Sequence, residues 1–209
     1  VSLVGSEMCI RDRNNTIENS LEAFENAIKN NFAIECDVVL SKDHEVIVFH
    51  DYSIKRLCNL EKNVAEMHSN ELRQINLLDT KSKIPTLEEM FYQVDSRVPI
   101  LIEIKSGFNP IIEERLVELT RTYQGEVAFQ SFDQKACEWF RDNAPYYNTG
   151  LIISSNEIEK NTIQELNIDF IAVDINNIES VDVQNLRKNN LPTFTLSLIH
   201  ISEPTRLTC

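Results

Sequence analysis

Glycine is scarce in this 209-residue chain, with only Gly5, Gly107, Gly125 and Gly150. No G-x-G-x-x-G or P-loop spacing can be built from them, which excludes a glycine-rich phosphate cradle and the dinucleotide fold that depends on it. Long apolar runs are missing too. No window approaches the ~18 apolar residues that a membrane-spanning helix needs. The five cysteines, at 9, 36, 58, 137 and 209, form no CxxC pair and no metal-type spacing. Reduced, buried thiols are the expectation, not a disulfide framework. Positive charge is also short: 20 Lys and Arg stand against 33 Asp and Glu, a net charge of −13. That balance argues against nucleic acid or an anionic membrane surface as the main partner. A small phosphate ester is not excluded, because local charge decides that.

The chain does have one stretch of concentrated chemistry, Phe32 to Asp51. Two apolar runs, Phe32–Leu40 and Val46–Phe49, flank the turn-like Ser41–Glu45, and their β-branched and aromatic content predicts strands. Residues two apart on a strand share a face, so Glu35 and Asp37 project together. Two adjacent carboxylates in a buried strand cost several kcal/mol or more, about what an uncompensated interior charge costs, unless a cation or donors offset them. A bound metal is the simplest offset. The second run ends in His50-Asp51, and His50 is the strand-end histidine of the central part, since His44 falls in a turn and His68 in a polar loop.

Length and an ordinary 42% hydrophobic content suit one α/β domain. Asn19 or Ser20 can cap a helix to about Asn30, with Leu21, Phe24 and Ile28 on one face. Tyr52–Lys83 reads as polar and irregular, with a short helix around Ser69–Leu77. Thr86 caps Leu87–Val94, and Glu89 completes a capping box. Val98–Ser106 is a strand with Leu101, Glu103 and Lys105 on one face. Helix then alternates with strand: Pro110–Tyr123, Glu126–Phe132, Gln134–Asn143, Thr149–Ser154, Glu157–Leu166, Phe170–Ile175, Val181–Lys188 and Pro192–Thr195. This alternation specifies a parallel sheet with helices outside it. Polar residues recur at the strand ends, as in a (β/α)8 TIM barrel, which spreads its site over many strands. The open doubly wound sheet is the competing architecture.

Taken together, IENSLEAFENAI, IECDVVLSKDHEVIVFHD, IPTLEEMF, LIEIK, QSFD and the late TFT resemble the glycerophosphodiester phosphodiesterase family, from about Ile17 to Thr195. The resemblance implies a (β/α)8 barrel and hydrolysis of a glycerophosphodiester, a small-molecule substrate, to glycerol 3-phosphate and an alcohol. It implies Glu35, Asp37 and Glu103 as metal ligands, and His50, paired with Asp51, as the catalytic histidine. Lys105, placed to neutralise a phosphate oxygen, Asp51, and Phe194, which stands where the family usually carries tryptophan, are the expected substrate-binding residues. The all-carboxylate ligand set suits one Mg²⁺ or Ca²⁺ rather than Zn²⁺. Arg56 matches a common family arginine, with a solvated surface role as the equal alternative.

The two ends are expected to be foreign. Residues 1–13 (VSLVGSEMCIRDR) and 196–209 (LSLIHISEPTRLTC) resemble translated sequencing-adapter read-through, which leaves 14–195 as the barrel domain. Family members open on His-Arg-Gly, and no such tripeptide occurs here. The barrel is therefore expected to be incomplete, lacking its first strand and last helix, and the chain as written to be an inactive fragment of an enzyme. Two further readings stand beside this one: a phospholipase-D-like lipid phosphodiesterase of the same superfamily, and a catalytically dead barrel that only binds. The compartment and the oligomeric state are not legible.

Overall fold

The computed structural model describes residues 16–105, 107–153, 163, 165–174, 183–184 and 191–196. Both expected foreign ends, apart from Leu196, lie outside the described residues, as does most of the expected helices Glu157–Leu166 and Val181–Lys188. The chain forms two compact units, residues 1–129 and 130–209.

In the first unit, helix α1 (Leu21–Lys29) starts at Ser20, whose hydroxyl accepts from the Ala23 amide at 3.2 Å. The buried stripe is Ala23, Phe24 and Ala27, rotated from the expected Leu21, Phe24 and Ile28. Two alanines let the helix approach its support closely, and the longer Leu21 and Ile28 sit on the shoulders, half-buried. Strand β1 (Ile34–Leu40) and the short β2 (Val46–Val48) form an antiparallel pair with Val38 opposite Val48. The turn between them is held by Ser41, whose hydroxyl accepts from the Glu45 amide and donates to Asp43. Helix α4 (Leu87–Val94) is capped as its sequence dictates: Glu89 N–H donates to Thr86 Oγ1 and Thr86 N–H to Glu89 Oε2. Strand β3 (Ile100–Ile104) pairs parallel with β1, setting Asp37 opposite Glu103. Helix α5 (Pro110–Thr122) begins on Asn109, with Pro110 in the first turn where its missing N–H is harmless.

The stretch 52–83 departs most from expectation. It holds two four-residue helices, α2 (Lys55–Cys58) and α3 (Ser69–Leu72), and a 3₁₀ turn at Val64–Glu66. Its apolar residues Ile54, Leu57, Val64, Met67, Leu72 and Leu77 are buried with Val39, Ile47 and Phe49 in one cluster. This loop-like segment is a core in its own right. Its spacing follows neither helix nor strand period, so it looks irregular in sequence.

Strand β4 (Val127–Ser131) is followed in the second unit by α6 (Gln134–Asn143), β5 (Asn148–Ile153), β6 (Phe170–Asp174) and β7 (Thr193–Leu196). Helix α6 buries Phe140, and Trp139 stays half-buried. Strands β5, β6 and β7 pair in parallel, with Leu151 opposite Ile171 and Ala172 opposite Phe194. Leu151, Ile153, Ile171 and Val173 share a core with Cys137, Ile163, Leu166 and Val183. The strand order is β2-β1-β3-β4 in the first unit, with β1–β2 antiparallel and β1–β3 parallel, and β5-β6-β7, both pairs parallel, in the second. Cys36, Cys58 and Cys137 are free thiols, as their spacing predicts.

Candidate active site

The parallel register of β1 and β3 builds the centre of the site. Asp37 and Glu103 are direct partners across the ladder, and Glu35 shares the face of Asp37 two residues earlier. One carboxylate oxygen from each lies within 4.8 Å of the other two, and all three residues are buried. Lys105 is bonded into this group. Its Nζ donates to Glu103 Oε1 at 2.6 Å and stands 3.5 Å from Asp37 Oδ1.

Lys105 does not bring Glu103 into the ordinary carboxylate range. Burial, followed by the negative charge of Asp37, pushes Glu103 up to about 7, against the pull of Lys105. Burial opposes the charge on Lys105, yet Asp37 and Glu103 together hold its pKa above the ordinary lysine value. Asp37 shows the deficit in its hydrogen bonds. Its Oδ2 accepts from Asn19 Nδ2 at 2.8 Å, and its buried Oδ1 accepts no hydrogen bond at all. A buried acceptor without a donor is costly, and a hard divalent cation ringed by carboxylate oxygens removes that cost. The residues present therefore fit a divalent metal.

The imidazole arrives by a different route. At the end of β2, the Phe49 amide donates to the Asp37 carbonyl at 2.9 Å, which fastens the start of the His50 segment beside the acidic face. His50 Nδ1 lies 2.6 Å from Asp51 Oδ1. Burial lowers the His50 pKa, but the Asp51 hydrogen bond and the charge of Asp37 outweigh it, so the ring is more basic than an ordinary histidine. Asp51 also accepts from Arg56, Nε to Oδ2 at 2.6 Å and Nη2 to Oδ1 at 3.2 Å. Burial works against the Asp51 charge, yet His50 and Arg56 hold this carboxyl well below the usual range.

The structure thus brings Glu35, Asp37, Glu103, Lys105, His50 and Asp51 into the first unit. Phe194 lies in the second, on β7, half-buried and edge-on to Phe170 with ring centroids 5.0 Å apart. Arg56 is no solvated bystander: its second contact is Glu18, which takes the same Nη2. Sequence reasoning missed Glu18 and gave Asn19 only a capping role, which Ser20 fills instead. Glu18 stands in a mostly polar run ahead of the helix, and nothing in that run singles it out. Tyr52 was missed as well: its hydroxyl donates to the Lys105 carbonyl at 2.6 Å while its ring stays exposed.

Comparison with known proteins supplies the context for this geometry. Residues 11–195 match the model of the glycerophosphoryl diester phosphodiesterase family. A glycerophosphodiester phosphodiesterase of Caldanaerobacter subterraneus is 31% identical over 160 residues, 71% of this chain and 66% of that protein. A human lysophospholipase D is 30% identical over 123 residues, 53% of this chain and 38% of its own length. The chain thus spans less than two thirds of these relatives. Among solved structures, a phosphodiesterase of Oleispira antarctica, in complex with the product sn-glycerol-3-phosphate, superposes with a TM-score of 0.79 at 17% identity. That superposition covers 86% of this chain and 78% of the other.

Proposed function

Because this chain belongs to the glycerophosphoryl diester phosphodiesterase family, with the α/β barrel fold of its structural neighbours, we propose that the site on β1 and β3 serves metal-dependent hydrolysis of glycerophosphodiesters to glycerol 3-phosphate and an alcohol. The observation that carries this reading is the meeting of buried carboxylate oxygens of Glu35, Asp37 and Glu103 within 4.8 Å of one another, beside an Asp37 oxygen that accepts no hydrogen bond. Those three carboxylates would hold one Mg²⁺ or Ca²⁺, which when bound supplies positive charge against the phosphoryl oxygens. Lys105, charged at neutral pH and tied to Glu103, offers a second positive centre to the same oxygens. His50 keeps Nδ1 on Asp51, so proton exchange with the leaving alcohol or the attacking water runs through Nε2. Asp51 fixes that tautomer and stabilises the imidazolium that forms. Phe194 is assigned to the substrate side, as an aromatic wall.

We also propose residues 14–195 as the catalytic domain, flanked by non-native ends. The sequence holds no His-Arg-Gly, so the chain as written is expected to bind the cation without turning over substrate. Calorimetric titration of the chelator-stripped chain with Mg²⁺ and Ca²⁺ tests the metal site directly. Release of glycerol 3-phosphate from glycerophosphocholine, with the native first strand restored, tests the chemistry. No cation binding, or turnover indifferent to chelation, would refute the assignment. The resemblance to lysophospholipase D supports a second reading, a lipid phosphodiesterase. Faster turnover of lysophosphatidylcholine than of glycerophosphocholine would favour it.

A further inference from the structure

We propose that Glu18 and Asn19 act as one positioning element for both halves of the site: Asn19 presents Asp37 to the cation, and Glu18, through Arg56 and Asp51, sets the ring of His50. The inference rests on the metal-dependent reading above. Asn19 is buried and has a left-handed backbone, φ 54°. Its side-chain amide spends both ends on one residue: Nδ2 donates to Asp37 Oδ2 at 2.8 Å, and Oδ1 accepts from the Asp37 amide at 3.1 Å. A two-point grip of this kind fixes the plane of the carboxyl group. It leaves Oδ1, the oxygen that accepts no hydrogen bond, as the one for a cation. Hydrogen bonds behind a ligand carboxylate orient it in this way in metal sites generally.

One residue earlier, the Glu18 side chain is 10% exposed and accepts from Arg56 Nη2. Arg56 reaches Asp51 with both Nε and Nη2, and Asp51 closes on His50 Nδ1. The chain Glu18–Arg56–Asp51–His50 is continuous. Without Glu18, the guanidinium, one third exposed, has only Asp51 to hold it and can turn toward solvent. Adjacent positions thus reach two separate catalytic groups, because the left-handed turn at Asn19 separates the two side chains before α1 begins.

The test uses the 209-residue chain and needs no turnover. Asn19→Gly keeps the left-handed backbone free of strain while deleting the amide, and Asn19→Asp keeps one acceptor while deleting the donor. Both should weaken Mg²⁺ or Ca²⁺ binding by calorimetry by ~10–100-fold, with the His50 ring signals unmoved. Arg56→Gln and Glu18→Gln should do the reverse. Cation affinity stays, while ¹H–¹⁵N ring correlations at a pH where His50 is neutral show loss of the Nδ1–H form, more in Arg56→Gln. Wild-type affinity in a folded Asn19 variant overturns the role of Asn19. An unmoved tautomer in Glu18→Gln overturns that of Glu18. If the parent chain itself binds no divalent cation, the metal site falls and the role of Asn19 falls with it.

Discussion

Two parallel strand pairs in this molecule solve the same packing problem with opposite chemistry. In the first unit β1 and β3 pair over five positions, and in the second β5 and β6 pair over four. Both are buried along nearly their whole length. The second pair packs Leu151, Ile153, Ile171 and Val173 against Cys137, Ile163, Leu166 and Val183. The first buries Glu35, Asp37 and Glu103 together on one face, and leaves one acceptor without a hydrogen bond. An apolar cluster of this kind is stable as it stands. The acidic pair is unfavourable by itself and becomes favourable only with a cation, so it is strained where it works and the apolar pair is not.

The largest test of that contrast is Glu103→Ala. It should abolish cation binding, because Glu103 is both a proposed ligand and the anchor of Lys105. In cation-free protein it should cost little stability or even raise it, since one of three repelling charges is gone. Calorimetry and thermal melts in chelator check both halves. A loss of cation-free stability as large as that of a core truncation would show the carboxylates to be structural. The matching change in the apolar pair is Ile171→Ala, at a fully buried position, and it should cost ~2–5 kcal/mol of unfolding free energy without touching cation affinity. Urea unfolding measures the first and calorimetry the second.

His50→Ala, in a chain given the family's His-Arg-Gly segment, should lower turnover by ~10²-fold or more, about 2.7 kcal/mol of barrier, while leaving the metal site intact. An unchanged rate would remove His50 from the chemistry. Because His50 is fastened by the Phe49 amide and by Asp51, the loss should fall on kcat rather than on substrate binding.

How much of this was legible in the sequence follows the same division. Where a local rule decides, the reading held. Thr86 and Glu89 form the expected capping box, and the helix Gln134–Asn143 has the expected bounds. The three acids fall on one face because strand periodicity is strict. Strand ends were read long, as with Phe32 and Val98, because apolar residues continue past the last ladder bond. What stayed hidden depends on contacts distant in sequence. Ile54, Leu57, Val64 and Met67 form a core through tertiary packing without any period. The hydrogen bond from Asn19 spans 18 residues, and the ion pair of Glu18 with Arg56 spans 38. No local pattern encodes either of them.

The smallest expected effect compares two carboxylates of the same unit, Glu103 and Asp43. Asp43 lies in the β1–β2 turn, where slight burial raises its pKa but Ser41 Oγ and the amide and hydroxyl of Ser69 hold it well below the carboxylate range. A depressed folded value means that its contribution is present above the unfolded pKa of ~3.9 and is lost as pH falls toward the folded value. Glu103 carries the opposite sign. Raised to about 7 by burial and Asp37, it holds a proton in the folded state that the unfolded chain releases from about 4.3 upward. In cation-free protein its penalty is therefore absent below that value, grows as pH rises toward 7, and is complete above it. Urea unfolding of the chelator-treated chain from pH 3 to 8 should show both slopes. Asp43→Asn should flatten only the acid side and Glu103→Gln only the neutral side. Saturating Mg²⁺ or Ca²⁺ should erase the Glu103 slope and leave that of Asp43 in place, because a bound cation favours the ionised carboxylate in one cluster and touches nothing in the other.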